Sequence, residues 1–272
     1  MSARPVAPLA ERLIFAMGGG GFTMEPSNPL LDDYVLSLAR AQQPRILFLP
    51  TASGDTSAQI TGFQERFCDR LCIPEDLSLF RLRDARRPLA EILLGQDIIY
   101  VGGGSMRNLL ALWKAHELEA LLVKAWSTGT VLVGLSAGAM CWFQAGITRS
   151  SGPPEVIEGL SVLRGSLTVH ADGEPERLPV WLASLREGAI PGGWAVDDGV
   201  GLLFRGARLE RVVSSRPGAG AQRVDAIAGE LVRQRLEPEL LGDGEPRVLG
   251  GTDEAVAELR RVHRMRRGLS DE

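Results

Sequence analysis

Short, wholly apolar runs alternate with segments of helical spacing through the first half of the chain. The strand candidates are residues 12–17, 45–50, 77–82, 97–101 and 130–135. The helix candidates are residues 28–42, 56–71, 88–94, 106–115 and 116–127. Most of the strand runs are apolar throughout rather than at every second position, which is typical of strands buried on both faces. The pattern predicts an α/β fold with a mostly parallel sheet sandwiched by helices, and places function at the carboxyl ends of the strands.

The second half of the chain carries weaker signals. Residues 157–163 and 166–170 are strand candidates, residues 178–186 a helix, and residues 194–199 and 200–204 a hairpin. No internal repeat or flexible linker divides the sequence, so we expect a single α/β domain over residues 1–272. Within it, residues 1–9 are predicted to form a flexible tail. Residues 206–272 are predicted to form a small β-rich C-terminal extension that ends in a helix over residues 252–267.

Composition excludes several classes of protein. The 272 residues include 34 acidic and 30 basic side chains, a net charge of −4 that gives no reason to expect a nucleic acid partner. No apolar run is long enough to cross a bilayer, and the first residues lack the apolar core of a secretion signal. The three cysteines, Cys68, Cys72 and Cys141, are too scattered for a disulfide framework or a zinc site. We therefore expect a cytoplasmic protein without a membrane partner.

A G-x-S-x-G pattern, Gly134 to Gly138, begins inside the strand candidate at residues 130–135 and continues beyond its end. A strand that turns sharply into a helix needs small neighbours, and the turn exposes the hydroxyl of the central serine, Ser136. It also brings the Ala137 N–H to a helix N-terminus, where negative charge is favoured. The pattern predicts a nucleophile beside half an oxyanion hole. The alternative is a tight turn with an incidental serine.

A serine nucleophile needs a base, and the chain has only three histidines. His116 lies among charged residues after a helix candidate, and His263 lies in a basic run, so both are interpreted as surface positions. His170 ends an apolar stretch and precedes the polar loop Ala171-Asp172-Gly173-Glu174, which places an imidazole at a strand end. His170 is therefore the favoured base.

Four carboxylates are candidates for the group that orients the imidazole: Asp172, Glu174, Asp197 and Asp198. Asp198 is favoured because it precedes Gly199 in a turn between two apolar runs, while Asp172 is close enough to His170 to bond its own loop instead. Two orders are then open along the chain. One is Ser136, His170, Asp198; the other is Ser136, Asp198, His263, the order of α/β-hydrolase esterases.

Two glycine-rich stretches follow strand candidates. Gly102, Gly103 and Gly104 lie one strand before Ser136 and could supply the second oxyanion donor, because glycine lets backbone N–H groups approach a substrate oxygen closely. Gly18 to Gly21 lack the G-x-G-x-x-G spacing of a dinucleotide loop, so we interpret them as close backbone packing near a site.

Several motifs together resemble the S51 serine peptidases, which include α-aspartyl dipeptidase (peptidase E) and cyanophycinase. They are G-G-G-G-F at 18–22, Y-V-G-G-G-S-M-R at 100–107, G-L-S-A-G-A-M at 134–140, H-A-D-G-E at 170–174 and V-D-D-G at 196–199. The resemblance implies a fold akin to class I glutamine amidotransferases, with serine as the nucleophile. It matches Ser136 to the nucleophile and His170 to the base. Asp198 falls where peptidase E has a glutamate, so Asp197 stays an alternative.

The resemblance further implies an oxyanion hole formed by Gly103, Gly104 and the Ala137 amide. The mechanism that the resemblance implies is attack by Ser136 on a peptide carbonyl, followed by hydrolysis of an acyl-enzyme. Small peptides or isopeptides are the expected substrates, and no metal or other cofactor is expected. An acidic substrate residue would need a cation, for which Arg107, Arg149 and Arg177 are candidates. A homodimer, and a non-catalytic binding protein that retains the fold, are left open.

Overall fold

The computed structural model describes residues 4–85 and 87–242, which form a mixed α/β fold with two sheets. The strands are β1 Leu13–Met17, β2 Arg45–Leu49, β3 Ile73–Asp76, β4 Ile98–Val101, β5 Val131–Leu135, β6 Ala145–Thr148, β7 Glu155–Glu158, β8 Ser166–Thr168, β9 Gly193–Val196, β10 Val200–Arg205, β11 Arg208–Ser214, β12 Ala221–Ile227, β13 Glu230–Leu236 and β14 Glu239–Leu240. The helices are α1 Gly21–Met24, α2 Leu30–Ser37, α3 Ser57–Cys68, α4 Leu89–Leu94, α5 Met106–Ala115, α6 Leu118–Ser127, α7 Ala137–Met140 and α8 Arg177–Arg186.

The first sheet has the strand order β14-β11-β10-β1-β5-β4-β2-β3. Neighbouring strands from β1 to β3 in this order pair in parallel, whereas β10 pairs antiparallel with both β1 and β11. β1 and β5 are buried along their whole length, as expected for strands covered on both faces. The third strand is Ile73–Asp76 rather than residues 77–82, because this edge position accepts a half-exposed polar strand. The buried Leu77 and Leu79 instead pack into the core from the segment after it.

The second sheet has the order β13-β12-β9-β8-β6-β7. The predicted hairpin at residues 194–204 is wrong. β9 pairs with β8 and β12 in the second sheet, whereas β10 pairs with β1 and β11 in the first. The connection through Asp197, Asp198 and Gly199 therefore crosses from one sheet to the other. The predicted strand at residues 157–163 is also misplaced, since β7 ends at Glu158.

The two ends of the described chain contact the body of the fold. In the predicted tail, Arg4 forms an ion pair with Asp97, and the Ala7 N–H donates to the Ser127 carbonyl. After residue 206 the chain supplies β11 and β14 to the first sheet and β12 and β13 to the second. The predicted helix at residues 252–267, with His263, lies outside the described residues. In the part that is described, no helix has the length and apolar character needed to cross a membrane.

Parallel packing brings three strand ends together at one edge of the first sheet. β1 lies beside β5, β5 lies beside β4, and all three run in the same direction. The residues that follow them are the Gly18–Gly21 run, Ser136 and the Gly102–Gly104 run. The Ser136 N–H donates to the Met17 carbonyl at 3.0 Å, so the turn after β5 is fastened to the end of β1.

Candidate active site

Ser136 occupies a strained turn between β5 and α7. Its φ is 54° and its ψ is −113°, a conformation that costs a non-glycine residue on the order of 1–3 kcal/mol. Two glycines make the turn possible. A Cβ at Gly134 would overlap the Gly138 carbonyl, and one at Gly138 would overlap the Val101 carbonyl of β4. The G-x-S-x-G spacing therefore reflects backbone packed against backbone, and Ser136 is held at the strand end.

His170 approaches Ser136 from the second sheet. It follows β8, and its Nε2 lies 2.8 Å from the Ser136 Oγ. His170 also has a left-handed φ, 55°, and is 9% exposed. The Ala171 N–H donates to the Val196 carbonyl of β9, which ties the histidine loop to the neighbouring strand. The predicted nucleophile and base are therefore within hydrogen-bonding distance.

Asp198 completes the arrangement. Its Oδ1 lies 2.5 Å from the His170 Nδ1, so the imidazole is held between the carboxylate and the serine hydroxyl. Burial raises the pKa of Asp198, but the hydrogen bond and charge of His170, together with more distant arginines, outweigh burial and leave the pKa below its ordinary value. Asp198 is therefore ionised at neutral pH, as a group that stabilises an imidazolium must be.

The other aspartates have different partners. The Asp172 Oδ1 accepts the N–H of Asp198 at 2.9 Å, so Asp172 holds the backbone of Asp198 rather than the imidazole. The Asp197 Oδ2 accepts the Gly220 N–H at 2.8 Å, and burial raises its pKa despite that hydrogen bond. Of the carboxylates that the sequence left open, Asp198 alone contacts the His170 ring among the described residues.

The Gly18–Gly21 run packs against the same group, as the sequence predicted for close backbone packing. Gly19 pairs with Asp198 through an isolated β-bridge. A Cβ at Gly19 would overlap the Asp198 Oδ1 and would lie 3.1 Å from the His170 Nδ1. Gly19 therefore leaves the space in which the His170–Asp198 hydrogen bond forms. The run of four glycines predicted close packing, but it did not predict this role for Gly19.

The predicted oxyanion residues lie around Ser136. A Cβ at Gly103 would lie 3.3 Å from the Ser136 Cβ, and Gly104 lines a cavity together with Ser136. Ala137 is the first residue of α7, where an amide N–H has no partner within the helix. Among the described residues, no acceptor is found for the N–H groups of Gly103, Gly104 or Ala137. Three backbone donors therefore remain free close to the nucleophile.

The cavity beside Ser136 has a volume of about 200 Å³. Its lining combines hydroxyl, thioether and guanidinium groups: Gly104, Ser105, Ser136, Met140, Thr148, Arg149, Ser150 and Arg177. Sequence reasoning did not find Ser105, Met140, Thr148 or Ser150, because nothing in their local sequence distinguishes them from structural residues. A larger groove of about 470 Å³ runs along β12 and β13 and includes none of Ser136, His170 and Asp198 in its lining.

The three candidate arginines differ. Arg177 is buried, donates to Glu174 from Nε and Nη2, and also donates to the Ile147 carbonyl. Arg149 is 40% exposed and pairs with Glu174 and Glu176. Burial opposes ionisation of Glu174, but the hydrogen bond and charge of Arg177 leave its pKa below the ordinary value. Both cavity arginines thus already have carboxylate partners. Arg107 does not line the cavity and forms an exposed ion pair with Glu155.

Among the described residues, no group of three or more His, Cys, Asp or Glu side chains is arranged to hold a metal ion. The features that stand out are a strained serine, a histidine and an ionised carboxylate at the edge of an α/β sheet. That combination defines the class of serine hydrolases.

Comparisons with known proteins identify the family. The family model described as Peptidase family S51 matches residues 14–212. The chain is 44% identical over 229 residues to the uncharacterized peptidase YgaJ from Bacillus subtilis (strain 168), an alignment that covers 84% of this chain and 99% of that protein. The chain belongs to peptidase family S51 and is a serine-type hydrolase, which confirms the resemblance seen in the motifs.

Solved structures support the fold. A peptidase from an acI-B1 Actinobacterium superposes with a TM-score of 0.64 at 18% identity, covering 87% of this chain and 96% of that one. A putative peptidase E protein from Listeria monocytogenes EGD-e superposes with a TM-score of 0.51 at 16% identity, covering 83% and 99%. At these identities the likeness extends to the mixed α/β fold alone.

Proposed function

We propose that this peptidase hydrolyses small peptides or isopeptides through an acyl-enzyme on Ser136, as a dipeptidase or a cyanophycinase-like enzyme. The observation that supports the proposal is the continuous arrangement from Ser136 Oγ to His170 Nε2, at 2.8 Å, and from His170 Nδ1 to Asp198 Oδ1, at 2.5 Å. His170 takes the proton of the serine hydroxyl as the oxygen attacks the carbonyl carbon. Asp198 stabilises the imidazolium that forms.

The tetrahedral intermediate carries its negative charge on the former carbonyl oxygen. The free N–H groups of Gly103, Gly104 and Ala137 are the donors available to that oxygen. Collapse of the intermediate breaks the C–N bond, and His170 gives its proton to the leaving amine. Water then attacks the acyl-enzyme with His170 again as base, which releases the acid and restores the Ser136 hydroxyl.

The cavity bears on the size of the substrate residue. Its volume of about 200 Å³ is enough for one small side chain beside Ser136. The charges of Arg149 and Arg177 are offset by Glu174 and Glu176, so the lining is not simply cationic. Of the two arginines, Arg149 is the better placed to bind a substrate carboxylate. Its ion pair with Glu176 is exposed and contributes only about 0–1 kcal/mol, so Arg149 can exchange that partner for the substrate. An acidic and a neutral substrate residue are therefore both to be tested.

Two alternatives make different predictions. An α/β-hydrolase-type esterase would use His263 as its base, yet His170 already lies at the Ser136 hydroxyl. A non-catalytic binding protein would retain the fold without turnover. The similarity to class I glutamine amidotransferases, a cytoplasmic location, a small-peptide partner and a homodimer stay predictions.

Labelling with a fluorophosphonate tests the nucleophile and the base. Wild-type protein should be labelled, and Ser136→Ala and His170→Ala should each lose labelling while His263→Ala keeps it. Labelling of Ser136→Ala at the wild-type rate would contradict the proposal. Loss of labelling in His263→Ala but not in His170→Ala would favour the esterase.

A matched peptide series tests the substrate. Asp-Leu, β-Asp-Leu and Asn-Leu differ in one bond or one charge, so their relative kcat/KM values separate peptide from isopeptide cleavage and acidic from neutral preference. No turnover of any of the three by untreated, folded protein, from a preparation that a separate assay shows to react with the fluorophosphonate, would count against a dipeptidase and favour a binding role or a different peptide class.

A further inference from the structure

Gln59 lies on α3 and contacts the glycine loop that precedes α5. Its Nε2 donates to the Gly103 carbonyl at 3.3 Å. Its Oε1 faces the neighbouring residue, since a Cβ at Gly102 would lie 2.9 Å from that atom. A bulkier residue at position 102 would push the carboxamide away. The loop and the Gln59 side chain are therefore fitted to one another.

The hydrogen bond acts on one particular peptide unit. The Gly103 carbonyl and the Gly104 N–H belong to the same planar, trans peptide, so they point in opposite directions. When Gln59 holds the carbonyl on its own side of the loop, the N–H must point to the other side. Gly104 lines the Ser136 cavity, and Gly103 packs against the Ser136 Cβ.

Hydrogen bonds hold the loop at both of its ends. The Gly102 N–H donates to the Leu49 carbonyl of β2, and the Ser105 N–H donates to the Ala52 carbonyl. Two peptides lie between these bonds, and the one whose carbonyl Gln59 holds is the Gly103–Gly104 peptide. Glycine at both positions permits that peptide to rotate, so a further restraint is needed to keep one orientation.

Within the part of the chain that the structure describes, only one end of the Gln59 carboxamide is hydrogen-bonded. Its Oε1 is inaccessible to solvent and has no hydrogen-bond partner among the described residues. A buried polar atom without a partner is destabilising and calls for an explanation. The hydrogen bond that Gln59 does make is to the Gly103 carbonyl, so its contribution is to the orientation of that peptide.

We propose that Gln59 is a positioning residue that turns the Gly104 N–H towards the oxyanion formed at Ser136. Gln59 itself contacts neither the substrate nor the reacting atoms; it acts through the peptide that it holds. The inference rests on the proposed function, because an oxyanion donor has a role only if Ser136 is acylated.

The test compares rates of labelling by a fluorophosphonate, whose phosphoryl oxygen occupies the oxyanion position as Ser136 attacks phosphorus and fluoride leaves. Gln59→Leu keeps the bulk of the side chain and removes its hydrogen-bond donor. Its labelling rate should fall by about 10- to 100-fold, which is no more than the fall caused by removing a whole oxyanion donor. Gln59→Glu should be slower still at neutral pH, because a carboxylate repels the Gly103 carbonyl. Gln64→Leu is the control, since Gln64 lies on the same helix and bonds Asp76 instead.

Two further measurements separate positioning from a structural role. The melting temperature of Gln59→Leu should not fall, and the pH dependence of its labelling rate should keep the wild-type shape, because His170 and Asp198 are untouched. A wild-type labelling rate in Gln59→Leu would overturn the inference. An equal loss in Gln64→Leu, a lowered melting temperature or a shifted pH profile would overturn it as well. Failure of the wild-type protein to react would instead overturn the proposed function, and this inference with it.

Discussion

The two sides of the site are built differently. The nucleophile side consists of Gly134–Gly138 and Gly102–Gly104. Three of its glycines are required by backbone atoms, because a Cβ at Gly134, Gly138 or Gly104 would overlap a carbonyl oxygen. The base side consists of Gly19, His170, Asp172 and Asp198. There the required glycine, Gly19, makes room for a carboxylate and an imidazole.

Because of this difference, the fold and the chemistry can be perturbed separately on the base side. Backbone carbonyls cannot move without disturbing β4 and β5, so an error on the nucleophile side damages the sheet itself. Side chains can adopt other rotamers, so an error on the base side displaces His170 or Asp198 while the sheets remain intact. We therefore expect substitutions on the base side to reduce activity in a protein that still folds.

Asp198→Asn is the sharpest way to test the base side. The amide cannot stabilise an imidazolium and can hold His170 in the wrong tautomer, so kcat on the best peptide of the series should fall by about 10⁴-fold. Asp197→Asn is the matched control, because its remaining Oδ1 can still accept the Gly220 N–H. Equal losses in the two variants would contradict the assignment of Asp198.

Gly19→Ala should have the next largest effect. The added methyl group would overlap the Asp198 Oδ1, so the carboxylate must leave its place beside His170. A displacement of about 1 Å in a catalytic group can cost about 100-fold in kcat, and we expect a loss of that order. Circular dichroism should show a folded protein.

Gly220→Ala provides the control for that variant, because its methyl group would lie 3.9 Å from the Leu236 carbonyl, an ordinary contact distance. If Gly19→Ala unfolds while Gly220→Ala does not, the distinction between the two sides of the site fails.

The nucleophile side could be predicted from sequence because its constraints are local. The run before Ser136, the glycines at 134 and 138 and the triple glycine after β4 all appear as short patterns with one physical explanation each. The parallel strands of the first sheet were predicted for the same reason. The exception is β3, an edge strand whose polar residues carry no apolar signal.

The base side could be predicted only in part. His170 was favoured by its place after an apolar run, but the choice among Asp172, Asp197 and Asp198 depends on how β9 and β10 are shared between two sheets. Two adjacent apolar runs look like a hairpin, and no local pattern shows that the chain crosses between sheets. For the same reason, neither the contact of Gly19 with Asp198 nor that of Gln59 with Gly103 could be predicted, because each pair is far apart in sequence.

Asp172→Ala should have a smaller effect on activity than either base-side change above. It removes the acceptor for the Asp198 N–H but leaves the His170–Asp198 hydrogen bond in place. The loss of one net hydrogen bond, about 1 kcal/mol, corresponds to a fall in kcat of roughly 5- to 10-fold. Asp172→Asn retains an acceptor oxygen and should remain close to wild type. A fall in kcat as large as that expected for Asp198→Asn would mean that Asp172, and not Asp198 alone, stabilises the His170 imidazolium.

The smallest expected effect is on the pH dependence of stability, and it should differ between the neighbouring residues Asp197 and Asp198. The pKa of Asp198 is lowered in the folded protein, because His170 outweighs burial, so its contribution to stability is present above about pH 4 and is lost as the pH falls through the lowered pKa. Burial raises the pKa of Asp197, so its effect has the opposite sign: stability is lost as the pH rises from about 4 through the raised pKa. Urea unfolding of wild type, Asp198→Asn and Asp197→Asn between about pH 3 and pH 7 measures both. The stability of wild type relative to Asp198→Asn should rise with pH, and relative to Asp197→Asn it should fall. A fall with pH relative to Asp198→Asn would show that contact with His170 does not lower the pKa of Asp198, and a rise relative to Asp197→Asn would show that burial does not raise the pKa of Asp197.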